Sequence, residues 1–600
     1  MVGRKILISL IALLLIETIQ AKDIVRFSPN EGDFTSVVRQ AIEKAESEEI
    51  KLIFEKGVYS FKPDLAFEQY MSVTNHENGY KKIIFPFQGF KSVEVEGNGS
   101  EFIFSGQVMP FLFSKCGQVS MSGLNIDWST PFTFQGEVVA INPEEGWREI
   151  KPFTDGFSWK LNRGQIEFPL VDGFKFSCLG STLAFDPVST AVSYDAKDIY
   201  SKPTTVERMP NGNLRVYEKL KKYPAVGSIL NSKGPKGENR YAPAIHVISS
   251  SNINIDRVVI HHALGMGFLA ERSDTFTLTN SGVYVREGSD RVVSIIADAT
   301  HFCNMKGHVL IENCRFEHML DDGTNVHGTY VTIDKVLNDH QVRISLEHFQ
   351  QTGFEFADQG DELWFIHEPS PDRMEVNTVM DVKVINSKYS VLTFKNKLQP
   401  ETKKGDVLEN KTWNPTFTMR GCTIQNHRAR NIVLKSPLKT IIENNTLSSM
   451  MASILFRGET YYWFESGQVG DVLIRNNTFI DCVQGGSEQA VFYVTPRLGK
   501  HFNSKAIYDR NIVIEDNNIR TFNNRIVWAD RTAGIVIRNN DIVQTKDLQV
   551  RFPEAPTFQF DNCEDILIEG NTYIGDNNNM IRADEKSSKS IKIKKNKGIH

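Results

Sequence analysis

A short pattern recurs along this chain: an apolar residue, two polar or small residues, often Asn or Cys, one more residue, then a second apolar one. INIDRVVI (253–260), LTNSGV (278–283), IENCRF (311–316), MRGCTI (419–424), IENNTL (442–447), IRNNTF (474–479), IEDNNI (514–519), IRNNDI (537–542) and IEGNTY (568–573) carry it. Equivalent apolar positions are separated by 23 residues (255 to 278), 33 (278 to 311), 23 (419 to 442), 32 (442 to 474), 40 (474 to 514), 23 (514 to 537) and 31 (537 to 568), a base period of 23 with extensions. A unit this small buries its apolar face only against its neighbours. The segments are short, β-branched and free of helical stretches between them. They suit an all-β fold, a right-handed parallel β-helix in which three short strands and their turns make one coil. Leucine-rich repeats have a similar period but demand Leu at fixed positions, which these segments lack. Asn and Cys at the equivalent strand-turn position can stack from coil to coil and satisfy one another's polar groups.

The ends of such a stack must be capped. DFTSVVRQAIEKAESEE (33–49) supplies a short N-terminal capping helix: Phe34, Val37, Val38, Ala41, Ile42 and Ala45 share one face, and Asp33 is its N-cap, closing the first coil IKLIFEKGVYSF (50–61). Two stretches lack the repeat and read instead as alternating strands bounded by Gly, Pro, Asn and Asp, for example QGEVVAI (135–141), YVTIDKVLND (330–339) and QVRISLEHF (341–349). The expected order is β-helix with cap at 22–127, a first barrel-like β insertion at 128–238, β-helix at 239–328, a second β insertion at 329–414, and β-helix again at 415–600. Loops on one side of a rigid scaffold are a common place for binding.

Ahead of all this, MVGRKILISLIALLLIETIQA sets Arg4 and Lys5 before an apolar run from Ile6 to Ile16 and a small Ala21. That is the pattern of an export signal peptide over 1–21, too short to span a bilayer, and it places the mature chain in the periplasm or outside the cell. Lys and Arg number 68 against 73 Asp and Glu, a net charge of −5 with no basic block to neutralise a phosphate backbone, so nucleic acid is not an expected partner. The seven Cys are scattered without CxxC or ligand-like spacing, which argues against a disulfide framework and a zinc site. They read as core thiols. Nothing in the sequence indicates an oligomeric state.

Within this frame one acidic stretch stands out, MLDDGTNVHG (319–328). If Phe316 ends the strand in IENCRF, Asp321 and Asp322 follow five and six residues later; the matching strand end one coil earlier is Val283, in a coil ten residues longer than the base period. If the extra residues bulge out before the next strand, Asp298 in IIADATHF (295–302) stacks on Asp321. Neighbouring strands lie about 4.8 Å apart, so three carboxyls crowd one patch. Other coils carry Gly265-Met266, Ala429-Arg430 and Ala452-Ser453 there, so the scaffold does not require the acids. Like charges this close cannot all stay ionised; one carboxyl is expected to hold its proton near neutrality beside anionic neighbours. An acid beside a base suits glycoside hydrolysis. The same residues also read as a solvated turn or as a calcium site, since clustered carboxylates hold hard cations; the reading adopted has no metal and no cofactor. His327, Arg430 and Arg457 lie in loops of successive coils and are expected sugar contacts, with a coil-bracing ion pair as the other reading of each Arg. Trp463, beside Tyr461 and Tyr462 in GETYYWFESG (458–467), is an expected aromatic platform for a sugar, with a core role as its alternative.

ADAT (297–300), LDDG (320–323) and VHG (326–328) together resemble the arrangement in inverting polygalacturonase-like β-helix hydrolases. Ala297-Asp298 stands where those have Asn-Thr-Asp, and their Arg-Ile-Lys substrate element has no clear counterpart, which speaks against a pectic substrate. The chain as a whole, with HHALGMGFL (261–269), EHMLDDGTNVHG (317–328) and two β insertions, resembles more closely the bacterial exo-α-1,3-galactosidases of glycoside hydrolase family 110. That resemblance implies a metal-independent, inverting exo-enzyme acting on an oligosaccharide partner: it removes terminal α-1,3-linked galactose from blood group B type glycans, and linear Gal-α-1,3-Gal is expected to be cleaved as well. It implies Asp321 as general acid, with Asp298 and Asp322 holding the attacking water and sharing the role of base. Competing functions for the scaffold are a polysaccharide lyase or polygalacturonase-like hydrolase, and a non-catalytic glycan-binding β-helix.

Overall fold

The repeat positions pair residue for residue. Ile255 lies opposite Leu278, Leu278 opposite Ile311, Ile311 opposite Met419, Met419 opposite Ile442, and so on through Ile474, Ile514, Ile537 and Ile568, every pairing parallel. The computed structural model describes residues 22–599 apart from positions 77 and 155, so the expected signal peptide over 1–21 lies outside the described residues. The fold is a right-handed parallel β-helix with a short capping helix and two inserted β units. One coil contributes three strands, for instance Thr300–Cys303, Lys306–Glu312 and Arg315–Glu317, and each pairs in parallel with its counterpart in the next coil. Among the described residues no helix is long and apolar enough to cross a membrane.

Period-2 alternation turns the repeated Ile, Leu and Met inward, where they are fully buried. Phenylalanines stack along the same interior, Phe85 on Phe111 with ring centroids 4.3 Å apart and Phe87 on Phe113 at 5.2 Å. At the first turn, polar ladders run up the coil. Asn445, Asn477, Asn517, Asn540 and Asn571 each pass a side-chain N–H to the amide oxygen of the next, the last of them to Asn596, at 2.9–3.0 Å. Below Asn445 the ladder continues through cysteines: the Cys422 N–H donates to Asn445 Oδ1 (2.9 Å), and the Cys314 N–H points at Cys422 Sγ (3.4 Å).

The capping helix is Thr35–Glu43, shorter than the expected segment because the chain must turn into the strand Glu49–Phe54. Asp33 accepts from the Thr35 N–H (3.0 Å) and hydroxyl (2.7 Å) at its start. Phe34, Val38 and Ile42 are buried, whereas Val37 faces solvent.

Seven antiparallel strands between Phe134 and Ser232 form the first inserted sheet, ordered Ile199–Ser201, Gly180–Phe185, Ile229–Ser232, Phe134–Asn142, Trp147–Pro152, Leu214–Tyr217, Thr205–Arg208. The second insertion closes on itself. Thr324–Asn338 pairs with Gln341–Ser345, which pairs with Tyr389–Phe394, then Val376–Val384, Glu362–Ile366 and Val407–Asn410, which returns to Thr324–Asn338. Val331, Ile344, Leu363, Phe365, Leu392 and Leu408 fill this six-stranded barrel. Because Thr324–Asn338 starts in the β-helix and ends in the barrel, one continuous strand ties the two together.

Candidate active site

The acids meet, but in a register one residue away from that expected. Thr300 pairs with Thr324, which sets Asp298 opposite Asp322 rather than Asp321; the Ala299 N–H donates to the Asp322 carbonyl (2.9 Å). The reason is a bulge. Asp274 pairs with Lys306, but Phe276 pairs with Val309, so one of the ten extra residues is taken up at Gly307 inside the strand Lys306–Glu312, after Asp298 and not before it. The remaining excursion is pinned by Arg286 and Arg291, which donate to Asp127 at 2.9 and 2.8 Å.

The nearest oxygens of Asp298, Asp321 and Asp322 all lie within 4.8 Å of one another. Their partners differ sharply. Asp298 Oδ2 lies 2.8 Å from His301 Nδ1, and its Oδ1 accepts from the Asp322 N–H at 3.4 Å. Asp322 accepts from the Arg430 N–H (3.0 Å) and guanidinium (2.8 Å). Asp321 is gripped from both sides, by Arg428 on Oδ1 (2.9 Å) and Arg240 on Oδ2. Burial, reinforced by the charge of Asp321, pushes Asp298 up to about 7. Burial likewise raises Asp322 to about 8 against the pull of Arg430. Burial acts on Asp321 too, but Arg428, Arg240 and Arg430 outweigh it and hold that carboxyl below the usual range. In the unliganded protein, then, Asp321 is the anion and the protons near neutrality belong to Asp298 and Asp322, the reverse of the resting state that an acid at Asp321 needs.

These acids line a cavity of about 260 Å³. Arg430, Arg457 and Trp463 line it. Arg430 is the coil-bracing partner of Asp322. Arg457 instead donates to the Thr495 carbonyl (3.3 Å), with its guanidinium 5.6 Å from the centre of the Tyr493 ring. Trp463 lies on His348 of the second barrel, ring centroids 4.4 Å apart. His327 is a correction: it does not line the cavity. Antiparallel pairing of Gly328 and Thr329 with Ser466 and Glu465 covers it, leaving it 1% exposed, with Nδ1 2.7 Å from the Gly328 carbonyl and Nε2 2.8 Å from His301 Nε2.

Sequence reasoning missed the rest of the wall. Arg240 arrives from the segment after the first inserted sheet, and Asp198 of that insertion holds Arg428 by two hydrogen bonds of 2.9 and 2.8 Å. Lys435 and Glu465 form a buried pair, with Asn325 Nδ2 3.5 Å and Asn75 Nδ2 3.3 Å from the Glu465 carboxylate. Lys435 had a detectable signal, a cation placed two residues after Val433, where strand alternation turns both side chains to the outer face.

Three clustered carboxyls are close enough to share a cation. The donor set does not suit one. Both Asp321 oxygens and one Asp322 oxygen already face guanidinium groups, so an ion there would sit among three positive charges.

Two family models fall on the two inserted units. The model described as GLAA-B beta-barrel domain I matches residues 134–230, and that of GLAA-B beta-barrel domain II matches residues 341–408. Alpha-1,3-galactosidase A of Shewanella woodyi is 33% identical over 529 residues, covering 87% of this chain and 85% of its own. Alpha-1,3-galactosidase B of Bacteroides fragilis is 30% identical over 531 residues, covering 84% and 88%. Among solved structures, the Yersinia enterocolitica family 28 exopolygalacturonase aligns at 9% identity with a TM-score of 0.37, covering 96% of this chain and 78% of its own. With a curated relative at one-third identity across most of both chains, and with both GLAA-B barrel models matched, the chain belongs to the α-1,3-galactosidase A/B family of glycoside hydrolases.

Proposed function

We propose that this protein is an exported, exo-acting α-1,3-galactosidase that inverts the anomeric centre, taking terminal galactose from blood group B type glycans and from linear Gal-α-1,3-Gal. The reading is carried by the three acids gathered in the lining of one small cavity. At about 260 Å³ it is smaller than the ~300–1,000 Å³ usual for drug-sized ligands, which suits one terminal sugar better than the middle of a chain. Guanidinium and carboxylate groups around it answer sugar hydroxyls, and Trp463 offers a flat apolar face.

In the proposed reaction, galactose hydroxyls entering the cavity compete for Arg240 and Arg428. As their grip on Asp321 loosens, its proton affinity rises, and it takes up the proton that it delivers to the glycosidic oxygen. The C–O bond breaks with its electron pair on the departing oxygen. Water held by Asp298 and Asp322 forms the new bond at the anomeric carbon from the opposite side and gives up its proton to a carboxylate there. Inverting enzymes usually separate their carboxyls by roughly 6.5–9.5 Å and retaining ones by roughly 5–5.5 Å. Oxygens within 4.8 Å fall on the short side of that rule. Occupancy favours inversion nonetheless: Asp321, the carboxyl held as an anion, has both oxygens taken by arginine and is not free to attack the anomeric carbon.

The test is to incubate the protein with Gal-α-1,3-Gal, with and without an α-1,2-fucose branch, and follow the released sugar by NMR. β-Galactose is expected first. α-Galactose first overturns inversion, and no galactose from either substrate overturns the specificity.

A further inference from the structure

Two buried histidines behind the acids fix the position of one proton. His327 Nδ1 lies 2.7 Å from the Gly328 carbonyl oxygen, which can only accept, so Nδ1 carries hydrogen. His327 Nε2 lies 2.8 Å from His301 Nε2, a contact that needs one hydrogen between two nitrogens. Burial holds both rings neutral, pushing His327 down to about 3 and His301 to about 4. A neutral His327 with hydrogen on Nδ1 has a bare Nε2, so His301 supplies the hydrogen from its own Nε2. A neutral His301 protonated there has a bare Nδ1. Asp298 Oδ2 sits 2.8 Å from that bare nitrogen, and two lone pairs at this distance repel. The hydrogen in the contact therefore belongs to the carboxyl.

We infer that His301 and His327, oriented by the Gly328 carbonyl, keep Asp298 in its protonated, neutral form, so that Asp298 positions the attacking water and Asp322 alone is the base. The inference rests on reading the three acids as the catalytic group, and it decides between the two acids that the proposed reaction leaves sharing one role. With Oδ2–H donating to His301, Asp298 keeps Oδ1 as an acceptor for water, while Asp322, which accepts from the Arg430 N–H and guanidinium, ionises and takes the water's proton, the reverse of the order that burial alone sets.

The surrounding charges do not undo the pattern. Asp298 faces Asp321 and Glu465, which resist its ionisation, and Arg240 and Arg430, which favour it, with Asp322 beside it. His301 and His327 face Glu465 and Lys435, with Glu271 and Arg240 also near His301. Glu465, 3.8 Å from His327 Nε2, could favour a charged ring, but Lys435 already neutralises it. The Asn75 amide reaches His301 Nε2 only at 3.4 Å, a weaker contact than that of His327.

Asparagine mimics a protonated aspartate, since its N–H can donate to His301 in place of the carboxyl hydrogen. Asp298→Asn is therefore expected to lower kcat by less than about tenfold, whereas Asp322→Asn lowers it by about 10²–10⁴, the usual worth of a general base. The acid limb of the pH–rate profile should survive in Asp298→Asn, because it reports ionisation of Asp322. Independently of activity, infrared difference spectra at pH 7 should show in wild type, beside the absorption of Asp322, a protonated-carboxyl band that is lost in Asp298→Asn. His327→Gln should also lose that band although Asp298 is still present, because an amide can donate to His301 and release its tautomer. Thermal melts confirm that each variant is folded. An Asp298→Asn loss as deep as that of Asp322→Asn, or no Asp298-dependent band at pH 7, overturns the inference. If Asp321→Asn and Asp322→Asn both keep wild-type rates, the reading of the acids as catalytic has failed instead, and the band still decides where the proton sits.

Discussion

Asp298 and Asp322 stand opposite one another in adjacent coils, joined by the Asp322 N–H pointing at Asp298 Oδ1 (3.4 Å), and both bind protons more tightly than an exposed aspartate. In the unfolded chain these carboxyls titrate near pH ~3.9. In the folded protein burial raises them to about 7 and about 8. Between those limits the native state holds protons that the unfolded chain has released, so stability falls as pH rises through the window. Asp298→Asn and Asp322→Asn remove the titration. Each variant is expected to gain on wild type between pH 5 and pH 8.5, by a few kcal/mol at most on the order of 1.4 kcal/mol per pH unit. Melting temperatures at the two pH values check this; an identical offset at both would contradict it.

Asp321 has the opposite sign. Its carboxyl is held below the usual range, so its pairing stabilises the fold above about pH 4, and the contribution disappears as pH falls through the folded value. Arg428→Ala removes one of its two guanidiniums and leaves Asp198 unpaired as well. The expected loss is about 1–3 kcal/mol at pH 7, narrowing at pH 3. Urea titrations at both pH values measure the gap, and a gap of equal size at both would remove the electrostatic grip from the account of Asp321.

The β-helix was legible because its inward face repeats strictly: Ile255, Leu278, Ile311 and Met419 name their own partners, and no tertiary contact competes with that register. Asp298 was legible only to within one residue. Sequence length says that its coil has ten extra residues, but not that one of them forms a bulge at Gly307. His327 was misplaced for a different reason. Its strand position turns it outward, and only the pairing of Thr329 with Glu465, from a segment over a hundred residues away, covers it. Arg240 and Arg428 were missed because their roles depend on where the first inserted sheet places Arg240 and Asp198, which no repeat records.

Asn517 occupies the middle of the asparagine ladder. Its Oδ1 accepts from the Asn477 N–H and side chain, each at 3.0 Å, and its Nδ2 donates to the Ile474 carbonyl and Asn540 Oδ1, again at 3.0 Å. Asn517→Ala orphans buried groups above and below, and one unsatisfied buried group costs about 1–3 kcal/mol. Asn596→Ala, at the partly exposed end of the ladder, should cost clearly less, because water replaces the lost amide. Chemical denaturation of the two variants gives the comparison. Galactose release per folded molecule should be unchanged in both, and equal destabilisation would contradict the ladder's dependence on burial.

Trp463 is braced rather than loose. It lies on His348 at 4.4 Å and edge-on to Tyr462 at 5.3 Å, with Lys236 Nζ 5.4 Å from its ring. Burial pushes His348 down to about 4, so the ring beneath Trp463 stays neutral across the pH range of an assay and the platform keeps its shape. An aromatic face against a sugar acts on binding in the ground and transition states alike, so its removal should appear in KM and not in kcat. At about 0.5–1.5 kcal/mol for an aromatic contact, Trp463→Ala is expected to raise KM up to about tenfold. Trp463→Phe should restore most of it. Initial rates across a substrate range separate the two constants; a collapse of kcat with KM unchanged would assign Trp463 to holding the acids in place and take it out of the sugar site.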